Sequence, residues 1–175
     1  MKSQELHRHL RAALGPWFRQ EGFTAAKRTP LGWSRDPLLI WIQIDARGWD
    51  QYMGGGFFLN VQSGNCVEPW SAPTRRFQEF LTDDELEEMR GLQNRVIPKL
   101  QLPPREFIQH MRATLAKTSK DPDALIESYL SLFKPVETLF RRNHDVSLRY
   151  WDEDDVAGWG AFILRLLPRI VQEGM

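Results

Sequence analysis

A chain of 175 residues is the size of one domain and long enough to bury a core of its own, and an apolar fraction of 42% with seven Trp and ten Phe excludes a disordered chain. Lys plus Arg number 23 and Asp plus Glu number 23, so the formal charge is zero and no strong field draws the chain toward nucleic acid or anionic lipid. Cys66 is the one cysteine, and no window approaches 18 apolar residues, so a soluble cytoplasmic protein without a disulfide, signal peptide or membrane span is expected. Residues 1 to 50 carry eight Lys/Arg against five Asp/Glu, an excess of three that is too small to name a polyanion as partner.

Leu6, Leu10, Leu14, Trp17 and Phe18 recur at steps of three and four with arginines between them, which predicts an amphipathic helix over residues 4 to 20, N-capped by Ser3. Gly22 and Phe23 supply the left-handed residue and the apolar contact of a Schellman end. From residue 23 the period becomes two: Leu31 and Trp33 share one side of a strand that ends at Arg35, before a hairpin turn at Asp36-Pro37. Leu38, Ile40, Ile42 and Ile44 alternate with Leu39, Trp41 and Gln43, so both faces are largely apolar and the strand is central.

A polar, glycine-rich stretch from Ala46 to Gly56 leads to another strand, Phe57 to Gln62. Residues 63 to 80 hold turn formers without a period and read as a long surface loop. Thr82 with Glu85 forms a capping box, with Leu81 and Leu86 in staple positions, and opens the helical half of the chain. Further helix starts lie at Pro103-Pro104 and at Asp121-Pro122, with Pro135 ending the latter helix. Val146 to Tyr150 reads as a short edge strand, and Asp152 caps a last helix whose apolar face runs from Val156 to Ile170.

The expected fold is therefore α+β: a single domain, residues 1–175, in which an antiparallel meander of three to five strands is packed by N-terminal and C-terminal helices.

Signatures of chemistry are sparse. Gly54-Gly55-Gly56 precedes a strand and lacks the Lys-Ser/Thr of a phosphate loop, so it reads as a hairpin loop or bulge. His7 and His9 are two apart on a helix and cannot grip one ion, while His110 and His144 lack zinc-site spacing, so neither metal nor cofactor is expected. Cys66 follows Gln62 with a faint likeness to papain-type peptidases, but no helix start follows to lower its pKa. The acidic runs at 83 to 88 and 152 to 155 sit at helix starts, where carboxylates cap amides.

Trp49, Tyr52 and Trp70 fall in loops, the residue types that anchor contacts with partners. Arg75-Arg76 and Arg141-Arg142 read as solvated basic pairs. Arg35, Gln43 and Asn60 are polar side chains amid an apolar sheet; they must find hydrogen-bond partners, across strands or toward a ligand groove.

The order Gly22-Phe23, Trp33-Ser34-Arg35, an apolar strand ending near Gln43, and Phe57-Phe58-Leu59-Asn60-Val61 resembles a bacterial family known as a domain of unknown function. The resemblance covers roughly residues 4 to 62, about a third of the chain. It implies an α+β cytoplasmic protein, with an immunity or accessory role in some proteins of this general kind, and it brings no catalytic residues. The reading that follows is a non-enzymatic binding protein whose partner is another protein, with Arg35, Gln43, Trp49, Tyr52 and Asn60 as candidate contacts. The alternative is a hydrolase using carboxylates or Cys66. Composition and spacing leave homo-oligomerisation open.

Overall fold

The computed structural model describes residues 3–45, 49–138, 140–142 and 146–175. Among them are five α-helices and one open, six-stranded antiparallel sheet, one strand more than the upper bound set by the sequence pattern. The first helix, α1 (Ser3–Gln20), includes Ser3 as a helical residue rather than as its cap. Its C-terminus has the expected Schellman geometry: Gly22 has φ 79°, its N–H donates to Arg19 O at 3.1 Å, and Phe23 N–H donates to Phe18 O at 2.8 Å. The Phe18 and Phe23 rings then meet edge to face at 5.1 Å.

Where one strand was expected after Phe23, two short ones form, β1 (Thr24–Ala25) and β2 (Gly32–Arg35), and Leu31 lies in the turn between them. The turn at Asp36-Pro37, whose peptide bond is cis, leads into β3 (Leu38–Ile44), which pairs along its whole length with β4 (Gly55–Ser63). β4 is the hub. Its far edge is shared by β5 (Thr74–Arg76), opposite residues 60–62, and β6 (Leu148–Tyr150), opposite residues 55–57. Edge strands of two or three residues offer little template for pairing with another chain.

Two expectations are corrected here. Residues 63 to 80 are not wholly loop, because they include β5 and a 3₁₀ turn at Phe77–Phe80. Gly55 and Gly56 are not loop residues but the first two of β4; a Cβ on Gly55 would stand 2.5 Å from Tyr150 Oη, and one on Gly56 would stand 2.9 Å from Ser147 Oγ. Bare backbone is required there so that β6 and its aromatic ring can close on the sheet.

The capping box opens α2 (Asp83–Val96): Glu85 N–H donates to Thr82 Oγ1 at 3.3 Å, and Thr82 N–H donates to Glu85 Oε2 at 2.7 Å. Helices α3 (Arg105–Leu115) and α4 (Pro122–Ser131) form a hairpin joined by an Arg112–Asp123 ion pair of 2.7 Å, and α4 ends before Pro135 as expected. The last helix, α5 (Glu153–Gly174), is capped by Asp152, which accepts from Asp155 N–H at 3.2 Å.

Alternation divides the sheet into two unlike faces. Trp33, Leu38, Ile40, Ile42, Phe57, Leu59 and Val61 point to one side, where they form a continuous core with Leu6, Leu10 and Leu14 of α1 and Trp159, Ile163 and Leu167 of α5. The meander from Thr24 to Gln62 is thus roofed by helices from both ends of the chain. The other side carries Gly32–Trp41–Asn60–Arg76 as one cross-strand row, Ser34–Leu39–Gln62–Thr74 as the next, and the pair Gln43–Phe58. At Trp41 and Gln62 this outer face is covered by the loop of residues 64–73. Among the described residues no helix is long and apolar enough to cross a membrane.

Candidate functional site

The outer face is held together by amides. Gln62, fully buried, donates from Nε2 to Asn65 O at 2.6 Å, Glu68 O at 2.8 Å and Ser71 Oγ at 3.3 Å, and accepts from Thr74 Oγ1 at 3.1 Å. One side chain therefore folds the 64–73 loop back over the sheet, as a buried amide must when its own strand cannot satisfy it. The loop delivers Trp70 edge to face onto Trp41, with centroids 5.2 Å apart. Trp70 has φ 64°, the left-handed region, and is 55% exposed, whereas Trp41 beneath it is 3% exposed. For a residue with a Cβ this conformation is unfavourable by about 1–2 kcal/mol.

Beside Trp70 lies Arg76. Its Nη1 donates to Gln43 Oε1 at 2.9 Å and to Asn60 Oδ1, and its guanidinium stands 4.3 Å from the Phe58 ring centre and 5.3 Å from that of Trp70. Cation–π contacts of this kind contribute about 0.5–2 kcal/mol each, more as water is excluded. Asn60 is fully buried, and among the described residues its Nδ2 has no hydrogen-bond partner. Three strands thus set one half-buried guanidinium in a fixed orientation between two aromatic rings.

The five residues singled out from the sequence fall into three groups. Gln43 and Asn60 are brought together, through Arg76. Arg35 is on the opposite face: it pairs with Leu38, an inward residue, and its guanidinium donates to Glu21 O at 2.6 Å, contacts Met175 Sδ at 3.7 Å and covers the Phe23 ring at 4.5 Å. There it closes the C-terminus of α1 against α5 and shares no groove with Gln43 and Asn60. Trp49 and Tyr52 sit at the β3–β4 connection. Trp49 is 40% exposed and tilts against Trp151 at 6.0 Å; Tyr52 packs on Phe107 of α3 at 5.1 Å, and its carbonyl accepts from Gln101 N–H at 3.0 Å. Tyr52 therefore ties the α3–α4 hairpin to the sheet.

Trp70 stands out in the sequence as a loop aromatic of the contact-forming type but is not among the five candidates, and Arg76 reads there only as part of a solvated basic pair. The signal that could have found Arg76 is alternation: in a strand, Arg75 and Arg76 must face opposite ways, and Arg75 stands 3.8 Å over Phe80 on the other side.

The acidic runs are engaged with cations. Asp83 pairs with Arg142, Glu85 with Arg169, Glu87 with Arg90, and Glu88 with Arg165 at 2.6 Å. Lys99 Nζ bridges Asp152 at 2.9 Å and Asp155 at 2.7 Å. Burial pushes the Asp152 carboxyl up, but the hydrogen bond from Lys99, the Asp155 amide and the lysine charge together bring it below its ordinary value. Cys66 donates to Asp36 Oδ1 at 4.0 Å. Among the described residues no three His, Cys, Asp or Glu side chains are grouped to hold a metal ion, and His144 lies outside those residues. Comparison with family models, curated proteins and solved structures found no match.

Proposed function

We propose that this protein is a binding module that engages another protein through the outer face of its sheet, at the cluster of Trp70, Arg76 and Phe58. The observation that carries the reading is Trp70. The residue is largely exposed although its backbone occupies the left-handed region, and it stands next to a guanidinium already fixed by Gln43 and Asn60. Trp and Arg dominate the binding energy of protein interfaces, and side chains ordered beforehand lose little entropy on association. The partner this chemistry suits presents a carboxylate to Arg76 and an apolar side chain to Trp70. The resemblance of residues 4 to 62 to a domain of unknown function, a general kind in which some proteins have an immunity or accessory role, is in keeping with this reading.

The test begins with affinity capture and cross-linking on the tagged full chain, followed by calorimetric titration of the identified partner. Trp70→Ala is expected to weaken that complex by about 30-fold or more, the range of an interface hot spot, with the thermal midpoint of the free protein retained. Arg76→Ala tests the guanidinium, and Trp49→Ala the neighbouring connection. Unchanged affinity in both Trp70→Ala and Arg76→Ala removes the outer face as the docking site.

A further inference from the structure

A second feature, on the opposite side of the molecule and independent of the outer sheet face, is a basic groove along α1. One cavity of about 580 Å³ is lined by His7, Arg8, Arg11, Pro16, Arg19 and Pro30. A second, of about 430 Å³, continues past Arg11, Arg19 and Pro30, which line both, onto Gly15, Thr29 and the apolar wall of Phe23, Leu31 and Trp33. The three arginines lie on one stripe of the helix, and long helical side chains lean toward the N-terminus. Arg19 does so: its Nη1 is 3.4 Å from where a Cβ on Gly15 would stand, and Arg11 Cγ is 3.9 Å from the same point. Both side chains thus converge over one glycine, and Arg11 is tethered across the groove by a 2.9 Å bond from Nη2 to Pro30 O.

Among the described residues no carboxylate pairs with Arg8, Arg11 or Arg19, whereas Arg28, Arg112, Arg142, Arg165 and Arg169 each meet one. Beneath the groove, in two of its lining residues, His7 Nε2 and Thr29 Oγ1 are shielded from water and have no hydrogen-bond partner among the described residues. Burial first, and then the Arg11 charge, hold the His7 imidazole below its ordinary pKa of 6.5, so at neutral pH it is an uncharged hydrogen-bonding group beside the cations. Guanidinium groups in this arrangement match the oxygens of a phosphate, and the adjoining apolar wall matches a carbon skeleton. A formal charge of zero for the whole chain argues for a small anion rather than a nucleic-acid polymer, whose binders are basic over a whole face.

We infer that the α1 groove binds a small phosphomonoester, its phosphate held between Arg11 and Arg19 and its apolar part lying over Pro30 toward Leu31 and Trp33. The same chemistry is offered by a soluble metabolite and by a lipid headgroup. The test uses the full chain, isotope-labelled, titrated with inorganic phosphate, phenyl phosphate and a short single-stranded DNA. Expected are saturable amide shifts for phenyl phosphate confined to α1 and residues 24–33, with tighter binding than inorganic phosphate. Arg11→Ala/Arg19→Ala, both at exposed positions, is expected to weaken binding by about tenfold or more with an unchanged amide spectrum elsewhere. Sedimentation with phosphatidic-acid vesicles that phenyl phosphate competes away assigns the phosphate to a lipid; its absence assigns it to a soluble ester. Three results overturn the inference: no saturation at about 10 mM phenyl phosphate, a binding free energy less favourable than about −2.7 kcal/mol; shifts that map elsewhere; or salt-dependent DNA binding without phenyl phosphate binding.

Discussion

Replacing Gly55 by alanine probes how the sheet closes on its last strand. Gly55 lies directly opposite Tyr150, and the tyrosine ring folds back across the bare backbone, so an added Cβ would stand 2.5 Å from Oη and 2.9 Å from Cε1, and closer still to Cζ. Tyr150 is fully buried, its ring 6.3 Å from that of Phe57, and it cannot swing into solvent. Relief requires displacing β6 or forcing the ring off its rotamer, and overpacking of this kind is destabilising by about 1–3 kcal/mol. With a rigid ring as the obstacle the upper end applies, about 3 kcal/mol, or a fall of roughly 6–12 °C in the thermal midpoint for a chain of this length. Tyr150→Leu removes the obstacle at the expense of a cavity, itself a loss of about 2–4 kcal/mol. In the double variant the steric part of the alanine penalty vanishes, so its loss should fall short of the sum by about 2–3 kcal/mol. Urea unfolding followed by tryptophan fluorescence, at constant m-value, measures all three. Additive losses, or Gly55→Ala within about 0.5 kcal/mol of wild type, would refute the close approach.

Tyr150 also sets an alkaline limit. Burial raises its pKa from 10.0 to about 12, so the folded state holds the phenolic proton more firmly; stability is full below about pH 10 and falls by about 2.7 kcal/mol between pH 10 and 12. Because Tyr150 Oη is buried without a hydrogen-bond partner among the described residues, Tyr150→Phe should be neutral or stabilising by about 1 kcal/mol at pH 8 and should flatten that decline, leaving the share of Tyr129, also raised to about 12. Urea midpoints at pH 8 and pH 11 decide this, and an equally steep decline in the variant refutes it. At the start of α2, Thr82→Ala should lose about 1 kcal/mol by urea unfolding. Burial pushes Glu85 up, but the Thr82 amide and Arg169 bring it below its ordinary 4.5. Its contribution is therefore present above pH 4.5 and lost as pH falls through its lower folded value, a loss that Glu85→Gln should reduce in acid titrations followed by circular dichroism.

The elements that could be read from the sequence are those whose instructions are local. The Schellman end at Gly22-Phe23 and the capping box at Thr82–Glu85 each lie within a few residues of chain, and seven residues of Leu38–Ile44 suffice to display a period. Strands β1 and β5, of two and three residues, are too short to show alternation, and they exist because β2 and β4 present unpaired edges to them. The glycine run illustrates the same limit from the other side. Read alone, Gly54-Gly55-Gly56 signals a loop; in the fold, the last two are strand residues made small by Tyr150 and Ser147, which reach them from the far end of the sequence.

Parity governs how much of the candidate site was legible. Gln43 and Asn60 could be recognised as polar positions on apolar strands, and alternation places both on the face away from the helices. The same rule separates Arg35, because the two-residue turn at Asp36-Pro37 puts it opposite Leu38, whose side chain is in the helix-roofed core. Arg76 was hidden because its strand was hidden: without β5, Arg75 and Arg76 look like one solvated pair, whereas pairing with Val61 and Asn60 sends them to opposite faces. The outer face then poses an energetic question that the inner one does not. Gln43, Asn60, Gln62, Thr74 and Arg76 fill positions where apolar side chains would pack without any need for partners, and one buried amide nitrogen of Asn60 still goes unmet among the described residues. A polar network of this kind adds little net stability over an apolar equivalent. What it does accomplish is to fix the direction of one guanidinium and, through Gln62 and the 64–73 loop, the position of one exposed tryptophan. Orientation rather than stability is what such an arrangement supplies, and orientation has value on a surface that meets something else.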